Sequence, residues 1–241
     1  MSSFPIGEFL GQFAAVLPSL LVRFLIAWAA TFAILIFVVS WLRKHIRPQF
    51  LRLDSAVRAW ARHLRYSDVT ATGPGADERH ARTSFFRFWT NFASAPALIV
   101  GSLLVPIWAT GNALEPKLWY LPGVCYAGSM LLSFLSKKVF KRVRPEREAG
   151  AFGHKLKDGS FPSGHSLTSF CFWFMLAATA VAAGLAPLWV ALILVGIFLI
   201  VGLTGMSRVY LGVHFPTDVL GGYSIGLLWC AACYIALRPA L

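Results

Sequence analysis

The sequence predicts an all-α, polytopic membrane protein with six transmembrane helices and an amphipathic interfacial insert between the first two. Of its 241 residues, 57% are hydrophobic and only 13% are charged, and the mean hydropathy is +0.66. A soluble domain has about 25% charged residues. No internal repeat or low-complexity tract divides the chain, so we expect residues 1–241 to form a single domain.

Six apolar segments approach the roughly 20 residues that a membrane-spanning helix needs. They occupy residues 24–42, 92–110, 118–135, 167–185, 188–206 and 219–237. Pro96 and Pro106 predict kinks or frayed ends in the second segment. The sequence before the first segment lacks a basic stretch and a cleavage site, so we expect that segment to be retained as a helix.

The connection between the first two segments, residues 43–91, predicts the amphipathic insert. Apolar residues recur in it at helical spacing, namely Leu53, Val57, Trp60, Ala61 and Leu64. Arginines take the other faces, namely Arg52, Arg58, Arg62 and Arg65. This pattern is typical of a helix in the lipid headgroup layer, and a helix packed on the protein itself is the alternative. Residues 67–77 predict a flexible link, and the aromatic residues within 85–92 predict an entry to the second span at the membrane interface.

The net charge of +12 is compatible with several kinds of anionic partner. The basic residues cluster beside apolar segments and do not form a separate polar domain. We therefore expect them to contact anionic headgroups or a phosphorylated substrate, and we expect no nucleic acid partner.

The four cysteines lie in or beside apolar stretches, at Cys125, Cys171, Cys230 and Cys233. The last two form a CxxC pair, which has no second pair to complete a metal site. We expect buried thiols, without a disulfide framework.

Three polar islands interrupt the apolar sequence and define a catalytic motif region at residues 137–218. They are Lys137-Lys-Val-Phe-Lys-Arg-Val-Arg-Pro145, Phe161-Pro-Ser-Gly-His-Ser166 and Ser207-Arg-Val-Tyr-Leu-Gly-Val-His-Phe-Pro-Thr-Asp218. With six spans, both termini lie on one side of the membrane and all three islands lie on the other. Each island lies at the end of an apolar segment, which indicates a phosphate carried on a lipid.

Two histidines and a carboxylate in these islands suit phosphate transfer. A neutral imidazole is a competent nucleophile near neutral pH, and Asp218, four residues after His214, can accept the other ring proton and fix the tautomer. His165 follows Pro-Ser-Gly at the start of the fourth span, where it can donate a proton to a departing alkoxide. We expect His214, His165 and Asp218 to be catalytic.

The same islands supply groups that can hold a phosphate without a metal ion. Lys137, Arg144 and Arg208 provide positive charge, and the fork of an arginine matches phosphate oxygens in pairs. A helix N-terminus offers free backbone N–H groups, Gly164 lets the backbone approach closely, and Ser163 adds a hydroxyl donor. The other basic residues are expected to contact headgroups or solvent, namely Lys138, Lys141, Arg142 and Arg147.

At these islands the sequence resembles the type 2 phosphatidic acid phosphatase superfamily, which includes integral-membrane lipid phosphatases. The family pattern is Lys-x6-Arg-Pro, Pro-Ser-Gly-His and Ser-Arg-x5-His-x3-Asp, and all three parts match without a departure. The insert at 43–91 has no counterpart that the motifs can assign.

The resemblance implies a role for each matched residue. His214 would attack phosphorus and form a phosphohistidine, Asp218 would orient it, and His165 would protonate the leaving alkoxide and later activate water. Lipid members of the family need no metal, so we expect no cofactor. The residues expected to hold the phosphate are Lys137, Arg144, Ser163, Gly164, Arg208 and Ser207.

The leading functional hypothesis is a metal-independent phosphatase acting on a lipid phosphate or diphosphate. Candidate substrates are phosphatidylglycerophosphate, phosphatidic acid, undecaprenyl diphosphate and a lipid A phosphate. A lipid phosphotransferase using the same site is one alternative, and a non-enzymatic transporter or binder of a polyprenyl phosphate is another. Binding alone needs cations but has no need of an oriented nucleophile and a separate acid. The sequence leaves the oligomeric state open.

The charge distribution and the resemblance disagree on membrane orientation. Nineteen of the 22 Lys and Arg residues lie on the motif face, and the positive-inside rule would place that face in the cytoplasm. The resemblance implies a bacterial inner-membrane protein with its site on the extracytoplasmic face. We expect the latter, because a phosphate site and an interfacial basic helix select for cations independently of insertion.

Overall fold

The computed structural model describes residues 6–66, 75–111, 120–145 and 158–237, with side chains described for 18–64, 80–107, 120–145 and 158–237. Within these ranges the regular structure is α-helical and no strand occurs. The helices are α1 (Ile6–His45), α2 (Arg47–Tyr66), α3 (Gly75–Asn91), α4 (Ala95–Gly111), α5 (Leu121–Phe140), α6 (Gly164–Ala182), α7 (Pro187–Tyr210) and α8 (Pro216–Leu237). The all-α prediction is confirmed. Most of the link predicted at 67–77 lies outside the described residues.

Prolines and a glycine fix the ends of the helices that follow the second island. Pro187 begins α7 and Pro216 begins α8, because a proline lacks only an N–H that the first turn would leave unpaired. Gly184 follows α6 with φ +75°, a left-handed conformation open to glycine without steric cost. These signals keep the connection from α6 to α7 short.

Within the described ranges, four helical segments are long and apolar enough to cross a membrane. They are Pro18–His45 of α1 and the whole of α6, α7 and α8. A fifth span results if His80–Asn91 and Ala95–Ile107, which meet at a 41° bend, form one crossing. That bend lies beside Pro96, near the start of the segment where the sequence predicts kinks. The protein is therefore an integral membrane protein, and the part of the chain that the structure describes holds four spans by this criterion, or five with the bent pair.

The predicted third span is occupied by α5, which is less apolar than the four candidate spans. It carries three inward-facing serines, Ser129, Ser133 and Ser136, and ends in the basic pair Lys137 and Lys138. These residues lower its hydropathy below that of the four candidate spans. The helix nevertheless packs along α6 and contributes to the centre of the bundle.

The main core lies where α1, α5, α6 and α8 meet. Trp229 of α8 is fully buried there, and its ring nitrogen donates to the carbonyl of Cys125 at 2.8 Å. Gly128 makes room for this indole, because a Cβ at that position would lie 2.3 Å from Trp229 Cζ2. Large apolar side chains on the outer faces remain exposed, such as Phe37 at 72% and Phe198 at 76%. The outer surface is thus suited to lipid contact.

Helix α2, the core of the predicted insert, packs on the protein. Val57 and Ala61 contact Val209 of α7 and Val219 of α8, and Ala61 is buried. Other large apolar residues of this helix are half-exposed, namely Leu51, Leu53 and Trp60. The face that packs on the protein also carries an acidic residue that the sequence analysis did not single out, Asp54.

Three of the four cysteines are buried, Cys125, Cys171 and Cys233, and all four are free thiols. The buried-thiol prediction is confirmed for these three. Cys230 is partly buried, and its Sγ lies 3.7 Å from that of Cys125 on α5.

Candidate active site

The three polar islands meet at one end of the bundle. The C-terminal end of α5 carries Lys137, and the irregular segment after it carries Arg144. The N-terminus of α6 carries His165, the last turn of α7 carries Arg208, and the connection into α8 carries His214. Antiparallel helices alternate their ends, so the ends of α5 and α7 lie beside the starts of α6 and α8.

His214 lies between a carboxylate and a guanidinium and is 2% exposed. Its Nδ1 is 3.5 Å from Asp218 Oδ2, and its Nε2 is 3.3 Å from Arg144 Nη1. Arginine can only donate, so Nε2 is the acceptor and Nδ1 carries the proton. The unprotonated nitrogen thus faces the cations. The Nδ1 contact is longer than an ordinary hydrogen bond, and Nδ1 has no shorter contact among the described residues.

Burial lowers the pKa of His214 to about 4, and the charges of Arg208 and Arg144 add to this effect. Asp218 opposes it by favouring the charged ring. Because the pKa is lowered on balance, the imidazole is neutral near neutral pH, as a nucleophile requires.

Asp218 is fully buried and is held through both carboxylate oxygens. Oδ2 accepts a very short hydrogen bond from Ser160 Oγ and a bond of 2.9 Å from the backbone N–H of Phe215. Oδ1 accepts from Arg142 Nη1 at 2.7 Å. The backbone joins the second and third islands too, because Ser163 N–H donates to the Asp218 carbonyl at 3.0 Å.

Lys137 and Arg144 converge on the carboxylate of Asp158. Lys137 Nζ lies 2.6 Å from Oδ2, and Arg144 Nη2 lies 2.8 Å from Oδ1. Burial raises the pKa of Asp158, but the bonds and charges of Lys137 and Arg144 outweigh it, so that the pKa lies below its usual value. Two of the predicted phosphate ligands therefore share an anionic group in this structure.

The N-terminus of α6 brings the second island against Lys137. A Cβ on Gly164 would lie 3.7 Å from Lys137 Nζ, so the absent side chain leaves the backbone open beside this cation. Ser163 is fully buried, and its hydroxyl accepts a hydrogen bond from Ser166 at 2.9 Å. The His165 ring interacts electrostatically with Arg208, His214, Lys137 and Arg144.

Arg208 and Ser207 occupy the last turn of α7 in different ways. Arg208 is 8% exposed and donates from Nη1 to Thr90 Oγ1 at 3.0 Å, while its buried Nε has no hydrogen-bond partner among the described residues. An anion beside Nε would satisfy that donor. The Ser207 hydroxyl instead donates to the carbonyl of Thr204 at 2.6 Å, within its own helix.

A cavity of about 450 Å³ opens from the site toward the apolar flank of the bundle. Lys137, Asp158, Gly164 and His165 line its polar end. Its walls are mainly apolar and come from α5 and the α3–α4 bend, namely Ala93, Ala95, Tyr126, Met130 and Phe134.

Sequence reasoning missed several residues of this site. Arg142 was expected to contact headgroups or solvent, but it binds Asp218, because the chain leaves α5 through the left-handed Lys141 and the guanidinium of the next residue reaches α8. Ser160 and Asp158 lie just before the second island, and that proximity was the available signal. Asp54 lies far from the three islands in the sequence. The one sign of its role in the sequence is its position as an acidic residue on the apolar face of an arginine-rich helix.

Among the described residues, one group has metal-ligand geometry, the thiols of Cys125, Cys171 and Cys230, whose sulfurs lie within 4.8 Å of one another. It lies in the helix core and includes no residue of the three islands. At the polar end, the Asp158 and Asp218 carboxylates are each paired with basic side chains.

The apolar helices and the polar end of the bundle define an integral membrane protein with a site beside the membrane. The family model of the PAP2 superfamily matches residues 117–240, which include all three islands. The chain therefore belongs to the PAP2 superfamily, and the predicted resemblance is confirmed.

Two curated relatives and one solved structure are similar to this chain. Phosphatidylglycerophosphatase B of Bacillus subtilis is 36% identical over 52% of this chain and 62% of its own length. Lipid A 1-phosphatase of Rhizobium johnstonii is 38% identical over 41% of this chain and 39% of its own length. The matched regions span less than two thirds of either relative. The crystal structure of a transmembrane PAP2-type phosphatidylglycerolphosphate phosphatase from Bacillus subtilis matches 92% of this chain and 95% of its own, with TM-score 0.65 and 24% identity, a likeness of fold.

Proposed function

We propose that the protein is a membrane phosphatase that hydrolyses a lipid phosphate or lipid diphosphate through a phosphohistidine. The observation that carries this proposal is the position of His214, whose Nδ1 faces Asp218 and whose Nε2 faces Arg144 beside the other cations. A binding protein would need the cations but not an oriented, neutral histidine. The names of the relatives, a phosphatidylglycerophosphatase and a lipid A 1-phosphatase, support the same class.

In the first step, His214 Nε2 attacks phosphorus, so that a P–N bond forms while the P–O bond to the lipid breaks. His165, at the polar end of the cavity, gives a proton to the departing alkoxide. Asp218 holds the Nδ1 proton and stabilises the positive charge that develops on the ring, as the aspartate of a catalytic triad does.

In the second step, water attacks the phosphohistidine, and the P–N bond breaks. His165, now neutral, takes a proton from the water, and inorganic phosphate leaves with its new oxygen. Lys137, Arg144 and Arg208 stabilise the equatorial oxygens in both steps. Gly164 and Ser163 contribute the open N-terminus of α6. Ser207 stays a predicted ligand, and its hydroxyl donates to the carbonyl of Thr204.

The cavity supports a lipid as the carrier of the phosphate. Its polar end holds Lys137 and His165, while Met130 and Phe134 line the side toward the apolar flank. A headgroup there would contact His165 while the hydrocarbon chains remain among apolar side chains. Phosphatidylglycerophosphate, phosphatidic acid, undecaprenyl diphosphate and a lipid A phosphate all fit this description.

We further propose six membrane spans, namely α1, the bent α3–α4 pair, α5, α6, α7 and α8. Exposed apolar residues on α5 support its inclusion, with Met130 at 43% and Phe134 at 54%. The exposed residues Leu51 and Trp60 support a position of α2 in the headgroup layer.

We propose that the site faces the extracytoplasmic side of a bacterial inner membrane. To test this orientation, a reporter that is active only in the cytoplasm would be fused after Gly75, which lies on the same face as the site. We expect no reporter activity, and activity would show that this face is cytoplasmic.

The function is tested by measuring phosphate release from purified lipid phosphates in detergent, with and without EDTA. We expect at least one of the four candidate lipids to be hydrolysed, with no loss in EDTA, because three basic side chains supply the positive charge. His214→Ala should abolish release while the protein stays folded. Loss of activity in EDTA would contradict the metal-free site, and full activity of His214→Ala would contradict the mechanism.

A further inference from the structure

The insert helix α2 places a buried carboxylate beside the catalytic end of the bundle. Asp54 is 3% exposed, although α2 lies on the outside of the protein and is rich in arginine. Burying a carboxylate is costly unless it is paired and hydrogen-bonded. Its partners therefore indicate why it is buried.

Asp54 binds the first turn of α8 and a cation of the first island. Oδ1 accepts from the backbone N–H of Thr217 at 3.0 Å, and Oδ2 accepts from the Thr217 hydroxyl at 2.8 Å. Oδ2 also accepts from Arg142 Nη2 at 2.5 Å. Asp54 thus caps the N-terminus of α8 from another helix, which satisfies a donor that the helix itself leaves unpaired.

Arg142 joins this carboxylate to the one beside His214. Its Nη2 binds Asp54, while its Nη1 donates to Asp218 Oδ1 and to Thr217 Oγ1, both at 2.7 Å. The guanidinium also lies over the ring of Phe215, with 4.3 Å from Cζ to the ring centroid. A planar fork can make these bonds together, whereas a lysine ammonium has no such fixed geometry.

We infer that Asp54 and Arg142 are positioning residues that hold Asp218 at the angle needed to orient His214, an inference that rests on the proposed function. Arg142 holds Oδ1 of Asp218, so that Oδ2 is turned toward His214, Ser160 and Phe215. Asp54 in turn holds Arg142. The chain of contacts Asp54–Arg142–Asp218–His214 links the insert to the nucleophile.

The balance of charges supports this assignment. Asp218 is 0% exposed, and among the described residues Arg142 is the one basic side chain paired with it other than His214. Without Arg142, Asp218 would keep only neutral donors besides His214. Without Asp54, Arg142 would lose the carboxylate that fixes its other nitrogen. The insert thereby has a role in the reaction in addition to any contact with lipid.

The test compares Asp54→Asn, Arg142→Lys and two matched controls that remove exposed positive charges nearby, Arg52→Gln on α2 and Lys141→Gln beside Arg142. Asp54→Asn keeps the volume and an acceptor for Thr217, and Arg142→Lys keeps the charge but loses the fork. We expect both to lower kcat by about 10- to 100-fold with KM within about 2-fold, the size seen when residues behind functional ligands are changed. The controls should behave as wild type.

A double variant and a spectroscopic readout separate positioning from a general loss of structure. The loss in Asp54→Asn/Arg142→Lys should be about that of the worse single variant, because both act through Asp218. In histidine-labelled protein, the His214 ring 15N resonances, assigned with His214→Asn, should shift in Asp54→Asn and stay in place in Arg52→Gln. This readout needs no turnover, so it judges the inference even if the wild type hydrolyses no lipid phosphate. Unchanged His214 resonances in both test variants would overturn the inference, and so would an unchanged kcat in both variants of an active enzyme.

Discussion

At the scale of single residues, the surroundings of His214 decide what it can do. The ring is buried, two arginines lie near it, and one carboxylate faces Nδ1. Burial and the arginines disfavour the charged ring, whereas Asp218 favours it, and the first effect is the larger. The same set of charges that can hold a phosphate thus also keeps the nucleophile neutral.

The lowered pKa of His214 predicts an unusual titration. A free histidine charges near pH 6.5, but the folded protein should keep His214 neutral until the pH falls toward about 4. Ring 15N shifts of the substrate-free protein between pH 4 and 8 would measure this, with His214→Asn for assignment. A midpoint at or above 6.5 would show that Asp218 outweighs burial and the arginines.

Asp158 occupies the two cations that the mechanism assigns to phosphate, so it should compete with phosphate. Asp158→Asn should lower the inhibition constant of inorganic phosphate by up to about 5-fold, because an ion pair of a half-exposed carboxylate contributes no more than about 1 kcal/mol. Asp158→Glu, which retains the charge, is the control. Weaker inhibition by phosphate in Asp158→Asn would mean that Asp158 orders Lys137 and Arg144 for the ligand.

The residue types of the site could be predicted from sequence, but several of their partners could not. His214, Asp218 and His165 stand in compact motifs whose spacing carries chemical meaning. Arg142 is one of several basic residues in its island, and no pattern separates it from Lys141 or Lys138. Only the fold shows that its guanidinium faces Asp218 and Asp54.

At the scale of helices, the close approach of α6 and α8 brings the second and third islands together. Gly222 of α8 faces the start of α6, where a Cβ would lie 3.1 Å from the Ser163 carbonyl oxygen and the Leu167 nitrogen. These are backbone atoms, which cannot move aside as a flexible side chain can. The hydrogen bond from Ser163 N–H to the Asp218 carbonyl depends on the same approach.

Gly222→Val should therefore separate the two islands and lower both stability and activity. Overpacking costs about 1–3 kcal/mol, which would appear as a lower Tm, and kcat should fall by at least about 10-fold as Ser163 and Asp218 move apart. Gly202→Val on α7 is the matched control, because a Cβ there meets nothing within 4 Å. Equal Tm and activity in the two variants would contradict the assigned role of this contact.

Helix positions followed well from hydropathy, whereas helix partners did not. The apolar segments at 167–185, 188–206 and 219–237 correspond to α6, α7 and α8, with starts set by residues of the islands and by proline. For α2, the spacing of apolar residues indicated an amphipathic helix but could not show that Val57 and Ala61 contact α7 and α8. That contact depends on tertiary packing that periodicity does not encode.

At the scale of the whole molecule, an apolar bundle carries its chemistry at one end. Several helices are long and apolar enough to cross a membrane, and the cavity beside α5 has Lys137 and His165 at its polar end. The chain belongs to the PAP2 superfamily, and relatives that it resembles are named as lipid phosphatases. We propose that His214 carries the phosphoryl group during turnover.

Rapid-quench trapping tests that claim most directly. Wild-type protein would be mixed with a hydrolysable lipid phosphate, quenched in base, digested and examined by mass spectrometry, with His214→Asn as the control. We expect a phosphoryl group on His214 that is stable in base and lost in acid, and none in the variant. Rapid turnover with no modified His214 at any quench time, or a phosphoryl group on another residue, would contradict the account.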